Sequence, residues 1–442
     1  MPEMPFVKSI EQAIAYHAHH HADALALVIG DVRLSYKQLD ETISKIAYEF
    51  GSLDGRVMPF RAQVCVDSVA RYFAIHRAEG VAVPLDKQMP DFLYARFVEQ
   101  LRHTFCPKGI ADILFTTGTT GQPKGVMISH RAIVADAENL VLAQGFHSKL
   151  TFIVNGPLNH IGSLSKFYPT FLTGGTVSIV DGLKDMDIFF KAIANAGGKV
   201  ATFLVPASIR LLMTYAVDKL TENAERIEMI ETGAAPISQS DMEHLCRLLP
   251  RTRLYNTYAS TETGIIATHN FNKDICVAGC LGRPMHHSSL RIDDNGHVAC
   301  SGATLMSGYW HEGREIQQLL CANEIVTNDL GCIDAEGRLL LQGRNDDVIN
   351  VGGFKVAPNE IEDSILSNSS VNDCICISYT HPVIGTCLRL LIVPSTSNFD
   401  KKQLYKWLRQ RLEAHKLPQD IQIVEKIERT FNGKLNRKFY QR

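Results

Sequence analysis

An alternation of short apolar, β-rich runs with amphipathic helical patterns constrains the fold of this chain most strongly. The alternation extends from Leu34 to about Leu341 and is typical of helices packed on mostly parallel sheets. In one clear unit, a buried strand at Ala111–Phe115 precedes a Thr/Gly stretch, and Ser129 then caps a helix with a 3.6-residue apolar period. We therefore predict that the Thr/Gly stretch is a strand-to-helix loop.

The pattern changes between Leu341 and Val351, and the predicted helices and strands after this segment are shorter and more local. A chain of 442 residues is too long for one ordinary core, and the last stretch, about 100 residues, is long enough for a separate domain. We predict an α/β fold in three parts. These are a large multi-sheet N-terminal domain (residues 1–343) with helices packed on mostly parallel sheets, a hinge (344–347), and a small mobile α+β C-terminal domain (348–442).

The charge composition argues against a polyanionic partner. Lys and Arg total 45 and Asp and Glu total 47, which gives a formal net charge of -2, so no global positive field attracts nucleic acid or anionic lipid. The apolar runs are strand-sized and shorter than a membrane span of roughly 20 residues. The first residues after Met1 lack a basic segment followed by an apolar one, which is the pattern of a secretion signal. We expect a cytoplasmic protein that binds no nucleic acid and has no membrane span.

Cysteine and histidine spacing does not predict a metal site. The eleven cysteines are scattered and no pair has Cys-x2-Cys spacing, which argues against a disulfide framework or a structural zinc site. The cluster His17, His19, His20 and His21 follows a helical apolar spacing, and a solvated helix end explains it better than metal ligation. We predict no structural metal.

The strongest chemical signal is the segment from Thr116 to Val126. Its three glycines allow close backbone approach, its four threonines offer hydroxyl donors, and Lys124 adds a positive charge, which together suit a polyphosphate. A kinase-type phosphate loop needs Gly-Lys-Ser/Thr before the helix, and this segment has Pro-Lys-Gly instead. A merely flexible surface loop is the alternative. The candidate phosphate-binding residues are Thr116, Thr117, Gly118, Thr119, Thr120, Gly121 and Lys124.

The stretch Thr117–Gly125 resembles the signature of the adenylate-forming superfamily. This superfamily comprises acyl- and aryl-CoA ligases, adenylation domains of peptide synthetases, and firefly-type luciferases. Leu34–Leu39 and Ala78–Leu85 are similar to two early structural motifs of the same family. Further matches follow in family order, and the resemblance extends over almost the entire chain.

Tyr255–Thr263 resembles the family segment whose tyrosine stacks on adenine and whose Thr-Glu pair handles phosphate and magnesium. The resemblance assigns nucleotide contacts to Asn256, Thr257 and Tyr258, and phosphate chemistry to Thr261 and Glu262. Glu262 is also a suitable Mg²⁺ ligand, since this ion takes one or two carboxylates together with substrate phosphates. Considered alone, Thr261-Glu262 would be a helix cap.

Val326–Leu330 resembles the family's Thr-Gly-Asp element, in which the aspartate holds the ribose hydroxyls. That residue is Asp329 here, and a carboxylate can accept both hydroxyls. Asn328 replaces the usual glycine but tolerates the left-handed conformation. Arg344 matches the arginine that also reaches the ribose, and Asp346 falls at the family's hinge.

Arg429–Arg437 is similar to the C-terminal element that supplies the catalytic lysine, here Lys434. Without the family order, a lone lysine near a chain end would be an ordinary solvated side chain. The resemblance implies that the small domain rotates about Asp346 after adenylation. This rotation removes Lys434 and brings Gly352 and Gly353 to the thiol tunnel.

Two segments resemble the walls of the acid pocket. Pro157–Gly162 carries His160, which shapes the acid site and the thiol entrance in the family, although a core histidine is an alternative. The opposite wall contains Gly233, Ala234 and Ala235. No aspartate near His160 matches the ammonium-binding residue of amino-acid-activating relatives, and Ala259 stands where many relatives have glycine. A compact or aromatic acid is therefore favoured.

The implied reaction is ATP-dependent activation of a carboxylic acid to an acyl-adenylate, followed by transfer to a thiol. ATP, Mg²⁺ and CoA are the implied ligands. Only about 30 residues separate Leu85 from Thr116, so the large domain is abbreviated between 86 and 115. Since part of the CoA site lies there in the family, an acyl-AMP ligase that loads a carrier-protein phosphopantetheine is one alternative. A non-catalytic nucleotide-binding regulator is another.

Overall fold

A computed structural model describes residues 4–117, 123–310, 323–351, 354–381, 385–429 and 435–440. The helices of these residues are α1 (Ile10–His20), α2 (Tyr36–Phe50), α3 (Val66–Arg77), α4 (Asp91–Leu101), α5 (His130–Gln144), α6 (Ile161–Leu172), α7 (Met186–Asn195), α8 (Pro206–Tyr215), α9 (Val217–Glu222), α10 (Gln239–Leu248), α11 (Pro358–Leu366), α12 (Lys401–Leu408) and α13 (Arg437–Tyr440). Short 3-10 turns lie at Asn345–Asp347 and Ala414–Lys416.

The strands of the described residues alternate with these helices along most of the chain. They are β1 (Leu25–Ile29), β2 (Val32–Ser35), β3 (Val57–Ala62), β4 (Val81–Asp86), β5 (Ile110–Thr117), β6 (Pro123–Ser129), β7 (Leu150–Val154), β8 (Thr176–Ile179), β9 (Lys199–Phe203), β10 (Ile227–Gly233), β11 (Arg253–Ser260), β12 (Gly264–Asn270), β13 (Cys280–Pro284), β14 (Ser288–Ile292), β15 (His297–Gly302), β16 (Gly308–Trp310), β17 (Glu324–Ile333), β18 (Leu339–Arg344), β19 (Ile349–Val351), β20 (Phe354–Val356), β21 (Val371–His381), β22 (Gly385–Pro394) and β23 (Asp420–Ile423).

The largest sheet has the strand order β14-β15-β17-β18-β13-β12-β11-β10-β9-β7-β8-β1-β2. Its central strands from β11 to β1 pair in parallel, and the pairs from β11 to β14 and the pair β1–β2 are antiparallel. The parallel centre confirms the prediction of helices packed on mostly parallel sheets, because β7, β9 and β10 are each followed by a helix before the next strand.

A second sheet has the order β16-β6-β5-β4-β3, and it corrects one prediction. β5 and β6 form an antiparallel pair, so the Thr/Gly stretch joins two strands and does not lead directly into a helix. The reason lies in Val126, Met127 and Ile128, which are all buried and form a second β-rich apolar run between the stretch and the cap Ser129. The helix predicted after Ser129 is α5, and the Ser129 hydroxyl accepts a hydrogen bond from the Ala132 amide.

The two large sheets share one hydrophobic core. Its members come from β1, from the strands β3 to β12, and from the helices α1, α2, α3, α5 and α6. Tyr36, Phe73 and Tyr168 are among its largest fully buried side chains. No helix in the described part of the chain is long and apolar enough to cross a membrane.

The C-terminal part forms a separate core around a sheet of order β21-β22-β23. Ile361, Leu388 and Leu404 are among its buried members, and they come from α11, β22 and α12. A large multi-sheet part and a small α+β part are therefore both present, as predicted. The exact limits of the hinge stay a prediction.

Candidate active site

The ends of the Thr/Gly stretch are held together by the β5–β6 pair. Thr116 lies opposite Lys124 in this pair, and Gly125 lies opposite Trp310 in the β16–β6 pair. A Cβ on Gly125 would come within 2.8 Å of Ile113 Cγ2, so this glycine allows the three strands to approach closely. Residues 118–122, and with them Gly118, Thr119, Thr120 and Gly121, lie outside the described residues, as does the Thr117 side chain.

Tyr309 connects two of the residues predicted to handle phosphate. The Lys124 Nζ lies 5.5 Å from the centroid of the Tyr309 ring, and the Tyr309 hydroxyl donates a hydrogen bond of 3.3 Å to Glu262 Oε1. Burial and the neighbouring Glu262 carboxylate raise the pKa of Tyr309 to about 12. The sequence analysis did not identify Tyr309, although the aromatic pair Tyr309-Trp310 in an isolated β run was visible.

Thr261 and Glu262 lie in the turn between β11 and β12, and they do not cap a helix. The turn is fixed by two hydrogen bonds, from the Ser260 amide to Thr263 Oγ1 (3.1 Å) and from the Thr263 amide to Ser260 Oγ (3.0 Å). The carbonyl of Glu262 accepts a hydrogen bond of 2.8 Å from the Met306 amide. These hydrogen bonds therefore fix the backbone around Glu262 and thus the position of its carboxylate.

Gly264 and Asp136 pack closely at the end of this turn. Gly264 has φ of +67°, and a Cβ there would lie 2.7 Å from the Thr304 carbonyl oxygen and 2.9 Å from the Asp136 carboxylate. Asp136 accepts a hydrogen bond of 2.9 Å from the Ile265 amide. Burial raises the pKa of Asp136 to about 8, although the bond from Ile265 and the charge of Lys166 oppose the rise.

Three residues predicted to contact the nucleoside meet at Asp329. The Tyr258 hydroxyl donates a hydrogen bond of 2.7 Å to Asp329 Oδ2, and Arg344 Nε lies 3.5 Å from Asp329 Oδ1. Asp329 and Arg344 are direct partners in the β17–β18 pair. The Asp329 amide donates to Thr327 Oγ1, so Thr327 orients the aspartate. Burial and the Asp329 charge raise the pKa of Tyr258 well above its usual value.

Asn256 and Thr257 use their side chains inside the sheet. Asn256 Nδ2 donates to the Cys280 carbonyl at 3.2 Å, and the Thr257 and Thr268 hydroxyls are 3.0 Å apart. Both residues are buried. Contact between these two residues and a nucleotide would therefore come from their backbone.

The two predicted walls of the acid pocket meet at Phe203, at the end of β9. A Cβ on Gly162 would lie 3.8 Å from one edge of the Phe203 ring, and a Cβ on Gly233 would lie 3.7 Å from the other edge. His160 is the residue immediately before α6 and is half-buried. Ala234 adopts the left-handed conformation with φ of 65°, and Ala235 follows it. The sequence analysis did not identify Phe203.

A buried ion pair lies beside Phe203. Lys166 Nζ is 2.7 Å from both carboxylate oxygens of Glu231 and 5.3 Å from the centroid of the Phe203 ring. Glu231 is on β10, two residues before Gly233, and Lys166 is on α6. The pair therefore connects both pocket walls, and loss of one partner would leave a buried charge.

The residues that flank Lys434 in the chain are held in place by contacts with the small domain. Arg429 and Leu435 form an isolated antiparallel bridge, and Arg437 makes two bonds of 2.6 and 2.8 Å to the two Glu362 oxygens. Arg437 Nε also lies 3.6 Å from Asp347 Oδ1. Lys434 itself, Gly352 and Gly353 lie outside the described residues, and of Asp346 only the backbone, in the 3-10 turn, is described.

Two family profiles match this chain. The profile of the AMP-binding enzyme matches residues 94–310, and the profile of the AMP-binding enzyme C-terminal domain matches residues 360–434. The chain belongs to the AMP-binding enzyme family. The predicted superfamily is thereby confirmed, and so is the predicted class of activity, ATP-dependent adenylation followed by thioester formation.

Two relatives that this chain resembles over most of its length are described as CoA ligases. The indoleacetate–CoA ligase of Aromatoleum aromaticum is 27% identical over 83% of this chain and 70% of its own length. A putative long chain fatty acid-CoA ligase, VraA, of Staphylococcus epidermidis is 25% identical over 98% of each chain. Tyrocidine synthase 2 of Brevibacillus parabrevis is 24% identical over 98% of this chain, which spans only 14% of that protein.

Solved structures of the family share this fold. ATP-bound MatB from Rhodopseudomonas palustris superposes with a TM-score of 0.84 at 20% identity, over 99% of this chain and 98% of that one. The o-succinylbenzoate CoA synthetase of Bacillus subtilis, in complex with its acyl-adenylate, gives a TM-score of 0.83 at 19% identity, over 97% and 98% of the two chains.

Proposed function

We propose that the protein is an acyl- or aryl-CoA ligase for a compact carboxylic acid. The observation that carries the proposal is the position of β11. Its end carries Tyr258, which contacts Asp329 and Arg344, and the turn after it carries Glu262, which Tyr309 connects to Lys124. This one segment thus carries Glu262, a group suited to Mg²⁺ and phosphate, and Tyr258, which contacts the carboxylate predicted to hold the ribose hydroxyls.

In the proposed adenylation step, a carboxylate oxygen of the acid attacks the α-phosphorus of ATP and pyrophosphate leaves. Both reactants are anions, so the protein's contribution is positioning and charge stabilisation. Thr116, Thr117 and Lys124 flank the departing phosphates. Lys434 stabilises the α-phosphate and the attacking carboxylate. Transfer to the thiol then releases AMP.

Glu262 fits the magnesium role that the family implies. Its carboxylate is a hard oxygen ligand, and the two oxygens retain acceptor capacity beside the 3.3 Å hydrogen bond from Tyr309. Bound Mg²⁺ would neutralise part of the phosphate charge. Thr261 lies in the same turn, between β11 and β12, and its hydroxyl is the second phosphate-handling group that the resemblance implies.

We assign the change between the two half-reactions to rotation about residues 344–347. Arg344 contacts Asp329, and the turn Asn345–Asp347 follows it directly. Asp347 lies beside Arg437, three residues after Lys434. A change of backbone angles at Asp346 would therefore move Lys434 relative to the nucleotide and would bring Gly352 and Gly353 toward the thiol. A cytoplasmic location belongs to the same proposal.

A compact acid is supported by Phe203 and Ala259. The Phe203 ring lies between the walls that contain Gly162 and Gly233, with His160 and Ala235 nearby in sequence, and Ala259 carries a methyl group where many relatives have glycine. Relatives include feruloyl-CoA synthase of Amycolatopsis and 2-succinylbenzoate–CoA ligase of Listeria monocytogenes. An aromatic or short acid fits such a site better than a long alkyl chain.

An acid panel with CoA tests the proposal. The wild-type chain is incubated with ATP, Mg²⁺, CoA and single acids from short aliphatic, aromatic and long-chain classes, and the AMP and acyl-CoA formed are measured. We expect acyl-CoA with at least one short or aromatic acid. Adenylate formation without any CoA thioester would contradict the choice of thiol.

The second candidate is an acyl-AMP ligase that loads a carrier-protein phosphopantetheine. The short connection between β4 and β5 favours it, because in the described residues this connection holds the single helix α4. Repeating the assay with a phosphopantetheinylated carrier protein separates the two candidates. Failure of every acid to support pyrophosphate release would favour a nucleotide-binding regulator instead.

A further inference from the structure

Glu11, His76 and His130 lie together although they belong to three separate helices, α1, α3 and α5. Each offers one ligand atom, and the three atoms all lie within 4.8 Å of one another. Glu11 and His76 are buried, with 7% and 5% of their surface exposed, and His130 is half-buried. The cluster is separate from the residues assigned above to the nucleotide and the acid.

Glu11 carries a buried oxygen that lacks a hydrogen-bond partner. Its Oε2 is buried and unpaired, and the nearest basic atom in the cluster is His76 Nδ1 at 4.0 Å. This separation is too long for a hydrogen bond. A tetrahedral ion with Zn–N and Zn–O bonds of about 2.0 to 2.2 Å holds its ligand atoms about 3.4 Å apart, so a small approach of the two side chains would let both bind one ion.

His76 is oriented by a second carboxylate on its other side. His76 Nε2 lies 2.9 Å from Asp112 Oδ1, and Asp112 Oδ2 accepts a hydrogen bond of 2.8 Å from the Tyr72 hydroxyl. Asp112 is completely buried. A carboxylate that holds the far nitrogen of a histidine is the usual support for a metal-binding imidazole.

The charges also favour a divalent cation. Two buried carboxylates, Glu11 and Asp112, face His76, and a protonated His76 could balance only one of them. A divalent cation bound to Glu11 and to neutral His76 and His130 would balance both. His130 packs edge-on against His76, with ring centroids 5.0 Å apart, and its ligand atom lies within 4.8 Å of the other two, so the three side chains would close around a bound ion.

We propose that Glu11, His76 and His130 bind a divalent transition-metal ion, with Zn²⁺ as the best match to two imidazoles and one carboxylate. The ion would tie α1, α3 and α5 together. This site acts on the stability of the large domain, whatever thiol the enzyme uses.

Metal uptake by variants of the full chain tests the proposal. Wild type, Glu11→Gln, His130→Gln and the control His20→Gln are stripped with a chelator, dialysed against Zn²⁺, and analysed for bound zinc. His20 is exposed at the end of α1, so its substitution shows how much zinc the surface histidines bind. We expect wild type and His20→Gln to hold about one equivalent more than the other two variants. Equal zinc in all four would overturn the proposal.

Two further measurements use the wild type alone, so they test the site even if a variant fails to fold. Zn²⁺ should raise the thermal midpoint of wild type by a few degrees, as expected for a ligand that binds only the folded state. X-ray absorption at the zinc edge of the loaded wild type should show two imidazoles and one carboxylate. A spectrum of imidazole ligands alone, or an unchanged midpoint, would assign the zinc to surface histidines and refute the site.

Discussion

At the scale of single residues, Asp329 is the centre of the proposed nucleoside site. It accepts a hydrogen bond from Tyr258 and lies beside Arg344, and Thr327 fixes its backbone. The family resemblance named Tyr258, Asp329 and Arg344, and the structure brings these three side chains together; their contact with a nucleoside stays a prediction. Thr327 was recognised only as part of the motif, because a threonine that orients a neighbouring aspartate has no separate sequence signal.

Substitution Asp329→Asn is expected to weaken ATP binding. Hydrogen bonds to a charged group contribute about 1.5 to 3 kcal/mol, so the KM for ATP should rise by about 10- to 100-fold while the KM for the acid changes little. Steady-state kinetics of adenylation measure both constants. Asp334→Asn is the matched control, because Asp334 lies in the turn of the same hairpin and pairs with Arg338. An equal rise of the KM for ATP in this control would contradict a role of Asp329 in ATP binding.

Asp136 predicts a pH dependence of stability. Its pKa is about 8 in the folded chain and about 3.9 in an unfolded one, so between these values the folded state binds the additional proton. Stability therefore falls as pH rises through this window. In Asp136→Asn, which can still accept from Ile265, the decline between pH 5 and pH 8 should be smaller. Urea unfolding at several pH values measures it, and parallel curves for the two proteins would contradict the assignment.

At the scale of elements, the β11–β12 turn and the β5–β6 pair position the phosphate residues. The apolar spacing predicted the strand at Ala111–Phe115 and the helix after Ser129, which are β5 and α5. It missed the β5–β6 pair because the Thr/Gly stretch looked like the loop of a βα unit, and three apolar residues after it were too short a signal. It missed Tyr309 and Phe203 because each contributes through contacts with distant strands. The cluster of Glu11, His76 and His130 has no local spacing at all.

The turn that carries Glu262 should tolerate no side chain at Gly264. Gly264→Ala adds a Cβ that meets the Thr304 carbonyl and Asp136, whereas Gly182, with φ of +77°, has nothing within 4 Å of a built Cβ. Gly182→Ala therefore measures the backbone cost alone, about 1 kcal/mol. Gly264→Ala should lower the free energy of unfolding by at least twice as much. Chemical denaturation compares them, and equal losses would show that the turn has room.

At the scale of the whole molecule, the proposed two-step reaction requires that the small domain move while its own elements stay rigid. Arg437 ties the C-terminal segment to Glu362 and Asp347, so Lys434 would travel with the whole domain. The change in element size after Leu341 predicted the two-domain organisation, and the family resemblance added a hinge at Asp346. It could not give the anchoring by Arg437, because Glu362 and Arg437 are far apart in sequence and neither stands out in the motif.

The substitution Asp346→Pro should separate the two half-reactions. Proline fixes φ near -65°, so a chain held in the adenylating arrangement should keep pyrophosphate exchange within about twofold and lose thioester formation by at least about 100-fold. The two rates are measured on the same preparation, which controls for folding. Equal loss of both rates, or loss of neither, would contradict a hinge at this residue.

ATP–pyrophosphate exchange by Lys434→Ala tests directly whether Lys434 and the Thr/Gly stretch act on one bound nucleotide. Lys426→Ala is the control, since Lys426 is exposed and pairs with Glu428. We predict that Lys434→Ala lowers exchange by about 100-fold or more with ATP binding retained, and that Lys426→Ala exchanges like wild type. Exchange by Lys434→Ala at the wild-type rate would contradict the account.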